Sequence, residues 1–441
     1  MPAETIKIEK NKLTKRHILR WALIGLFIRF IFMPFLFLGP DIFYINYFPF
    51  KAVTGGAWDP YLFLEQAFPG QAHYDYYYPP VPFIIHSIFM LPFTFFLPNL
   101  NNLFGVFGEW KFILDGSTAH FAKLLGDYDL FRTLFIFKIP YLLFDFAAGW
   151  LILKLLNSDA KKSLFAYKLW MFNPFLLHAC YGLGQMDITV VFFMLAAIYC
   201  IKLDKKYLAM VLLSLGFLTK TFFLILVPLA ILILGRSFRE RLKLFGAFIV
   251  TACVFIVPFY LSSNVINKAL LLAPSGVPLL KRALFFLGYS AIALPLFFLK
   301  KGKIELDLVI SSFAASLLLF YSFYSLTTRY FVLVTPLLLY LVVKNRKLWF
   351  YIAIFSIALL ELGIAATWQQ GELLASLNPE FFSGLPKTDA FINLFFNLKY
   401  VHQFMYRLFV FSSVAMVIHL LAVNRKYFNF PFLGAMKNDK A

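Results

Sequence analysis

The chain has 441 residues, of which 61% are hydrophobic, 20% aromatic and only 14% charged, with a formal net charge of +19. A soluble chain of this length would divide into two or three domains, each with a charged surface, and the charge is too sparse for that. The basic residues sit in short clusters between apolar blocks, with no long basic stripe; this argues against a nucleic-acid partner and matches the positive-inside signature of cytoplasmic loops beside anionic lipid.

The apolar blocks are roughly 15 to 22 residues long, enough to span a hydrocarbon core of ~30 Å. Backbone groups in lipid must satisfy one another, so these blocks read as helices. The expected fold class is all-α, a polytopic transmembrane bundle of about twelve spans (11–13), forming a single domain over 1–441. Cys180, Cys200 and Cys253 all fall inside apolar blocks, and neither a disulfide framework nor a metal spacing follows.

Residues 1–16 are charged over too long a stretch for a signal peptide and read as a cytoplasmic leader. The first span, 17–38, ends at Gly39-Pro40-Asp41. Spans at 132–154 and 164–183 are oriented by Lys154 and by Lys161, Lys162 and Lys168 on one side, which puts both ends of 39–131 outside. A single crossing at 81–98 would break that parity. This proline-rich segment therefore reads as an interfacial or re-entrant element in the first outside loop. Further spans are expected at 187–203, 207–219, 221–235, 244–262, 283–299, 305–326, 330–343, 348–366 and 407–423, with an outside loop at 367–406. Residues 207–235 have basic flanks at both ends and so form a hairpin. Each arm covers about 20 Å at 1.5 Å per residue, which leaves Lys220 at an apex below the membrane surface.

Several polar groups fall on the expected outer face. Asp41 ends the first span, where a carboxylate can act as a base toward a hydroxyl; its plainer role is an interfacial cap. Asp59, Asp75 and Tyr78 follow in the first loop. Gln185 and Asp187, in Gly184-Gln185-Met186-Asp187, offer the bidentate groups that sugar hydroxyls need, although the same residues suit a plain interhelical turn. Lys220 and Arg329 are cations suited to an anion such as phosphate, with headgroup snorkelling the alternative for Arg329. Lys138 and Asp145, seven residues apart, read as a structural ion pair with each other or with neighbours. Arg29 and Glu361 should face the bundle interior. His73, His86, His178 and His402 show no ligand spacing, so no metal site is expected.

In order along 20–340, Asp41, Pro60-Tyr61, Tyr78-Pro79-Pro80, Lys138/Pro140/Asp145, Asn173-Pro174, Gly184-Gln185-Met186-Asp187, Leu218-Thr219-Lys220 and Arg329-Tyr330/Pro336 resemble the motifs of the GT-C superfamily of integral-membrane glycosyltransferases. The similarity is to the polyprenyl-phosphate-sugar-dependent, mannosyltransferase-like branch. The resemblance implies a GT-C fold and inverting transfer of a hexose, mannose being favoured, in glycan biosynthesis. The partners it implies are a polyprenyl-phosphate sugar donor and a lipid- or glycan-linked acceptor. It assigns Asp41 as general base, Lys220 and Arg329 to the donor phosphate, and Gln185, Asp187 and Tyr78 to the sugar. Relatives often carry a second acid beside the Asp41 position, where this chain has Ile42. That leaves Asp59 or Asp75 as the second acid and a divalent metal open, with no cofactor required. Thr221 replaces a common proline after the hairpin lysine. The competing class is a transporter or flippase for lipid-linked sugars, which lacks the inverted repeat expected of it here. No N-x-S/T sequon occurs, which favours a prokaryotic plasma membrane over the endoplasmic reticulum.

Overall fold

A computed structural model of the chain describes residues 15–36, 41–56, 58–67, 78–97, 128–156, 159–261, 277–299, 304–324, 328–364 and 393–428, with scattered positions between 374 and 390. The described residues form an all-helical protein without strands. Its α-helices are α1 (Lys15–Phe35), α2 (Asp41–Gly55), α3 (Pro60–Ala67), α4 (Pro80–Met90), α5 (Tyr128–Phe137), α6 (Ile139–Leu155), α7 (Ala160–Met171) and α8 (Asp187–Lys202). They continue with α9 (Lys206–Phe217), α10 (Leu226–Leu234), α11 (Phe238–Tyr260), α12 (Leu279–Ala293), α13 (Leu306–Phe323), α14 (Thr335–Lys344), α15 (Leu348–Ile364) and α16 (Leu398–Asn424).

Among the described residues, six continuous helical stretches are long and apolar enough to cross a membrane: Lys15–Phe35, Leu130–Leu155, Phe238–Tyr260, Leu279–Phe298, Leu306–Phe323 and Leu398–Tyr427. Burial separates them into two kinds. Helix α13 is buried along nearly all its length, from Leu308 to Ser322, and runs through the core. Helix α11 buries only Leu244, Phe248 and Ala252, a single stripe four residues apart that packs against α9. Its other faces expose Leu242, Val250, Val254 and Val257. Apolar surface of this extent on α1, α11 and α12 needs a lipid solvent.

Two expected segments differ in detail. The segment 164–183 is divided, because Asn173-Pro174 interrupts it. The Pro174 ring disfavours the α-helical conformation for the residue before it, and Asn173 Oδ1 accepts from Phe175 N at 3.0 Å to cap a new start. The chain then widens through the short α-helical Pro174–Leu176 into a π-helical turn, Leu177–Gly182. The helix expected at 407–423 begins earlier, at Leu398, where the Asn397 side chain caps Lys399 N at 3.0 Å. Much of the expected loop 367–406 lies outside the described residues.

The segment expected to be interfacial, 81–98, is an 11-residue helix followed by the 6-residue 3₁₀ stretch Leu91–Phe96. It is not among the six long stretches. The expected hairpin is present. Helix α9 has 12 residues, about 18 Å long; it breaks at Leu218–Lys220, and the return arm is the 3₁₀ stretch Thr221–Ile225 continuing into α10. Gly216 makes the fold-back possible, since a Cβ there would stand 2.5 Å from the Phe223 ring.

Candidate functional site

The hairpin break holds Lys220 in an extended conformation (φ −146°, ψ 119°), with its side chain turned into the protein. Its ammonium donates to Asp187 Oδ1 in a short ion pair and sits 4.2 Å from the centre of the Tyr330 ring. The Asp187 side chain is wholly buried and that of Lys220 is 7% exposed. Asp187 occupies the first position of α8, where the helix N-terminus favours a negative charge. Its second oxygen, Oδ2, accepts no hydrogen bond from the described residues. The buried Tyr321 hydroxyl on α13 also has no hydrogen-bond partner among the described residues and lies within electrostatic range of Asp187 and Tyr330. A vacant carboxylate acceptor and a vacant phenol thus lie around one buried ion pair.

The Gly184–Asp187 turn is held from three directions. Gln185 N donates to Ala179 O at 2.9 Å, closing the turn back onto the π-helical segment, a geometry that recurs at functional sites. Tyr141 of α6 donates its hydroxyl to Gly184 O at 2.7 Å. Ile42 of α2 packs so closely on Gly184 that a Cβ there would meet the Ile42 Cβ at 2.3 Å. Gly184 also has φ +72°, a conformation that other residues adopt only at a cost. Gly184→Ala should therefore lower stability by ~1–3 kcal/mol from the backbone alone, with further loss from the clash. Ile42→Gly in the same chain removes the Cβ that the new side chain would meet and should restore the clash component, which thermal unfolding in detergent would resolve.

The first-loop motifs converge nearby. Val81 N, at the start of α4, donates to Leu218 O at the hairpin break, at 3.3 Å. Tyr61 is fully buried and donates its hydroxyl to the Tyr78 carbonyl at 2.8 Å, so Pro60-Tyr61 and Tyr78-Pro79-Pro80 form one unit. Asp59 Oδ1 accepts from Tyr61 N and Leu62 N at 2.9 and 3.0 Å and caps α3. Gln185 is buried beside Asp187 in sequence, and Tyr78 is half-buried. Asp41 begins α2 and so adjoins Ile42, but its side chain lies outside the described residues. The same holds for the side chain of Arg329, in the 3₁₀ stretch Thr328–Leu333 beside Tyr330, and for Asp75 altogether.

Other buried polar groups form the frame. Lys138 and Asp145 do not pair with each other, since seven residues of helix set them about 10 Å apart along the axis. Lys138 Nζ instead donates to Met33 O at 2.9 Å and Leu36 O at 2.5 Å, capping the end of α1 as a cation does best. Asp145 pairs with Arg29 at 2.7 Å. The Glu361 side chain is outside the described residues. Sequence reasoning did not single out Tyr321, nor the pairing of His86 with Asn46. The Asn46 amide donates to Ile42 O at 2.7 Å, so its oxygen faces His86 Nδ1 at 2.8 Å, and that nitrogen carries the proton. A tyrosine near the end of a largely apolar span was the available signal for Tyr321; nothing local marks Asn46. Among the described residues no group of His, Cys, Asp and Glu is arranged to hold a metal ion. Compared with models of known protein families and with curated proteins, the chain matches none.

Proposed function

We propose that this protein is an inverting membrane glycosyltransferase of GT-C type. In this reading it moves a hexose, mannose by preference, from a polyprenyl-phosphate-linked donor to a lipid- or glycan-linked acceptor. The single observation carrying the reading is the buried Asp187–Lys220 pair at the apex of a short hairpin, flanked by the unpartnered Asp187 Oδ2 and Tyr321 hydroxyl. A buried acceptor and donor left unmade cost about 1–3 kcal/mol each, and a sugar hydroxyl satisfies both kinds of group. A donor tethered to lipid cannot leave the bilayer, so its enzyme needs polar groups at membrane depth, and a 12-residue hairpin arm supports such a depth.

The chemistry is a single displacement. The acceptor oxygen attacks the anomeric carbon as the carbon–oxygen bond to the polyprenyl phosphate breaks. Asp41 takes the acceptor proton, and the electron pair leaves on the phosphate. Lys220 has three ammonium hydrogens and spends one on Asp187, so it retains donors for that phosphate, with Arg329 as its companion. Gln185, Asp187 and Tyr78 hold the sugar, with Asp59 and Asp75 toward the acceptor. Along the membrane the chain makes about twelve crossings with both termini in the cytoplasm, so these groups share the extracytoplasmic face of a plasma membrane.

The test is incubation of purified protein with a panel of polyprenyl-phosphate sugars and acceptors, with products read by mass spectrometry. One donor should give transfer, and Asp41→Asn should reduce it by about 10²–10⁴-fold while donor binding persists. Undiminished transfer by Asp41→Asn, or movement of lipid-linked sugar across vesicles without transfer, would overturn the reading.

A further inference from the structure

At the far ends of the same helices lies a second polar site. Helix α8 carries Asp187 at one end and Lys202 at the other, about 22 Å away along a 16-residue helix. There the ends of α8 and α10, the starts of α9 and α11 and the 3₁₀ stretch Leu294–Phe298 enclose a cavity of about 720 Å³. Four cations line it, Lys202, Lys206, Arg236 and Arg241, against one carboxylate, Asp204. The rest of the wall is largely apolar, including Leu232, Ile233, Leu296 and Phe297. A cavity of this kind suits an amphiphile with an anionic head.

Arg241 is the built element. Its Nε donates to Gly235 O at 3.0 Å, and its guanidinium lies 5.2 Å from the centre of the Phe297 ring. Its stem packs on Gly235, where a Cβ would stand 2.4 Å from the Arg241 Cγ, so only glycine leaves room for the arm. Three contacts thus fix the plane of the guanidinium, yet its two terminal amino groups have no hydrogen-bond partner among the described residues. A planar fork held in place with both tines vacant is the geometry that binds phosphate oxygens in a bidentate way. The surrounding cations are organised as well. Lys206 pairs with Glu240 at 2.9 Å, and the other oxygen of Glu240 accepts from Arg236 N at 2.7 Å. Lys202 donates to Lys154 O at 2.7 Å.

We infer that this cavity is a phosphate-binding site for an anionic phospholipid headgroup, with Arg241 as the fork, Lys206 and Arg236 as supporting charges and the apolar wall against the lipid's glycerol and upper acyl carbons. Basic pockets between membrane helices bind headgroups in this way. A soluble phosphate compound shares the recognised group, but it would leave the apolar wall unused.

Native mass spectrometry of the intact, detergent-solubilised protein with added phosphatidylglycerol, phosphatidylcholine or inorganic phosphate tests this. Phosphatidylglycerol should remain bound in preference to phosphatidylcholine. Arg241→Gln should weaken its binding about tenfold or more, the loss expected for a charge-assisted bidentate contact. Arg241→Lys, which keeps the charge and loses the fork, should fall between. Arg346→Gln removes an exposed cation outside the cavity and should change nothing. Inorganic phosphate that displaces the lipid only at great excess supports the lipid as the source. Phosphate binding as tightly as the lipid would support the phosphate site but overturn the lipid assignment. Equal binding of both lipids, or equal losses in Arg241→Gln and Arg346→Gln, would overturn the site itself. These readouts need no glycosyl transfer, so failure here leaves the proposed activity untouched, and the reverse also holds.

Discussion

Lys220→Met should cost the protein ~3–5 kcal/mol of stability, because it strands the fully buried Asp187 carboxylate without its partner. Asp187→Asn should cost less, since the amide still accepts from Lys220, and the Tyr330 face still attracts the ammonium. The combined Lys220→Met/Asp187→Asn variant removes both charges and should recover more than half of the Lys220→Met loss, as neutral pairs often stand in for buried ion pairs. Glycosyl transfer should follow a different pattern. Under the proposed function it should be lost about 100-fold or more in Lys220→Met and should stay lost in the combined variant, because the ammonium proposed to hold the donor phosphate is absent from both. Thermal unfolding in detergent and the transfer assay on the same preparations separate the two patterns. Recovery of transfer along with stability in the combined variant would make the pair a structural brace and move the phosphate site elsewhere. A Lys220→Met protein as stable as the parent would mean that water reaches Asp187 freely.

The parts of this site that could be read in advance are those governed by local chain geometry. The short hairpin follows from two basic flanks around a stretch too brief for two full crossings, and its break falls at Leu218–Lys220, where Lys220 interrupts the apolar run. The turn at Gly184 and the start of a helix at Asp187 follow from glycine and from the preference of carboxylates for helix N-termini. What could not be read is the choice of partner. Asp187 and Lys220 are 33 residues apart, and Arg29 and Asp145 are 116 apart. Hydrophobic periodicity reports which way a side chain faces along its own helix and says nothing about which helix stands opposite. Lys138 shows the limit most clearly. Its seven-residue spacing from Asp145 suggested a pair, but that spacing separates the two along the axis, and Lys138 reaches the carbonyls at the end of α1 instead. The interruption at Asn173-Pro174 was legible as a motif yet not as a break, because proline is tolerated within membrane helices when neighbours satisfy the freed groups. The basic cavity was invisible for a similar reason. Its cations come from separate short loops that looked like ordinary topology signals.

Asp145→Ala should be the most damaging single change to the fold. Asp145 Oδ2 accepts from Arg29 Nε at 2.7 Å and from the Tyr181 hydroxyl at 2.9 Å, while Oδ1 accepts from Trp170 Nε1 at 2.9 Å. Four segments, α1, α6, α7 and the π-helical turn before Gly184, therefore meet on one carboxylate. Removing it leaves Arg29 Nε and the Tyr181 hydroxyl without their acceptor and the Arg29 charge uncompensated, while Trp170 Nε1 keeps only its 3.2 Å bond to the Asp145 carbonyl. Arg29 NH1 already donates to Gly25 O and Met171 O, and NH2 has no partner, so little capacity exists to absorb the loss. The charge alone is worth ~3–5 kcal/mol, and the orphaned Tyr181 donor adds ~1–3 kcal/mol. Against the 5–15 kcal/mol that holds a typical protein folded, that sum predicts little recoverable folded protein. Asp145→Asn keeps one acceptor oxygen and should retain part of the fold, with unfolding at lower temperature than the parent. Its surviving molecules should transfer sugar at close to the normal rate per folded protein, since Asp145 touches none of the groups around Lys220. Tyr181 links the two regions, because its turn leads directly into Gly184, and Tyr141 of α6 reaches the same glycine through its hydroxyl. A drop in transfer per folded molecule in Asp145→Asn, matched by the same drop in Tyr181→Phe, would show that the frame sets the position of the Gly184–Asp187 turn as well as holding the helices together.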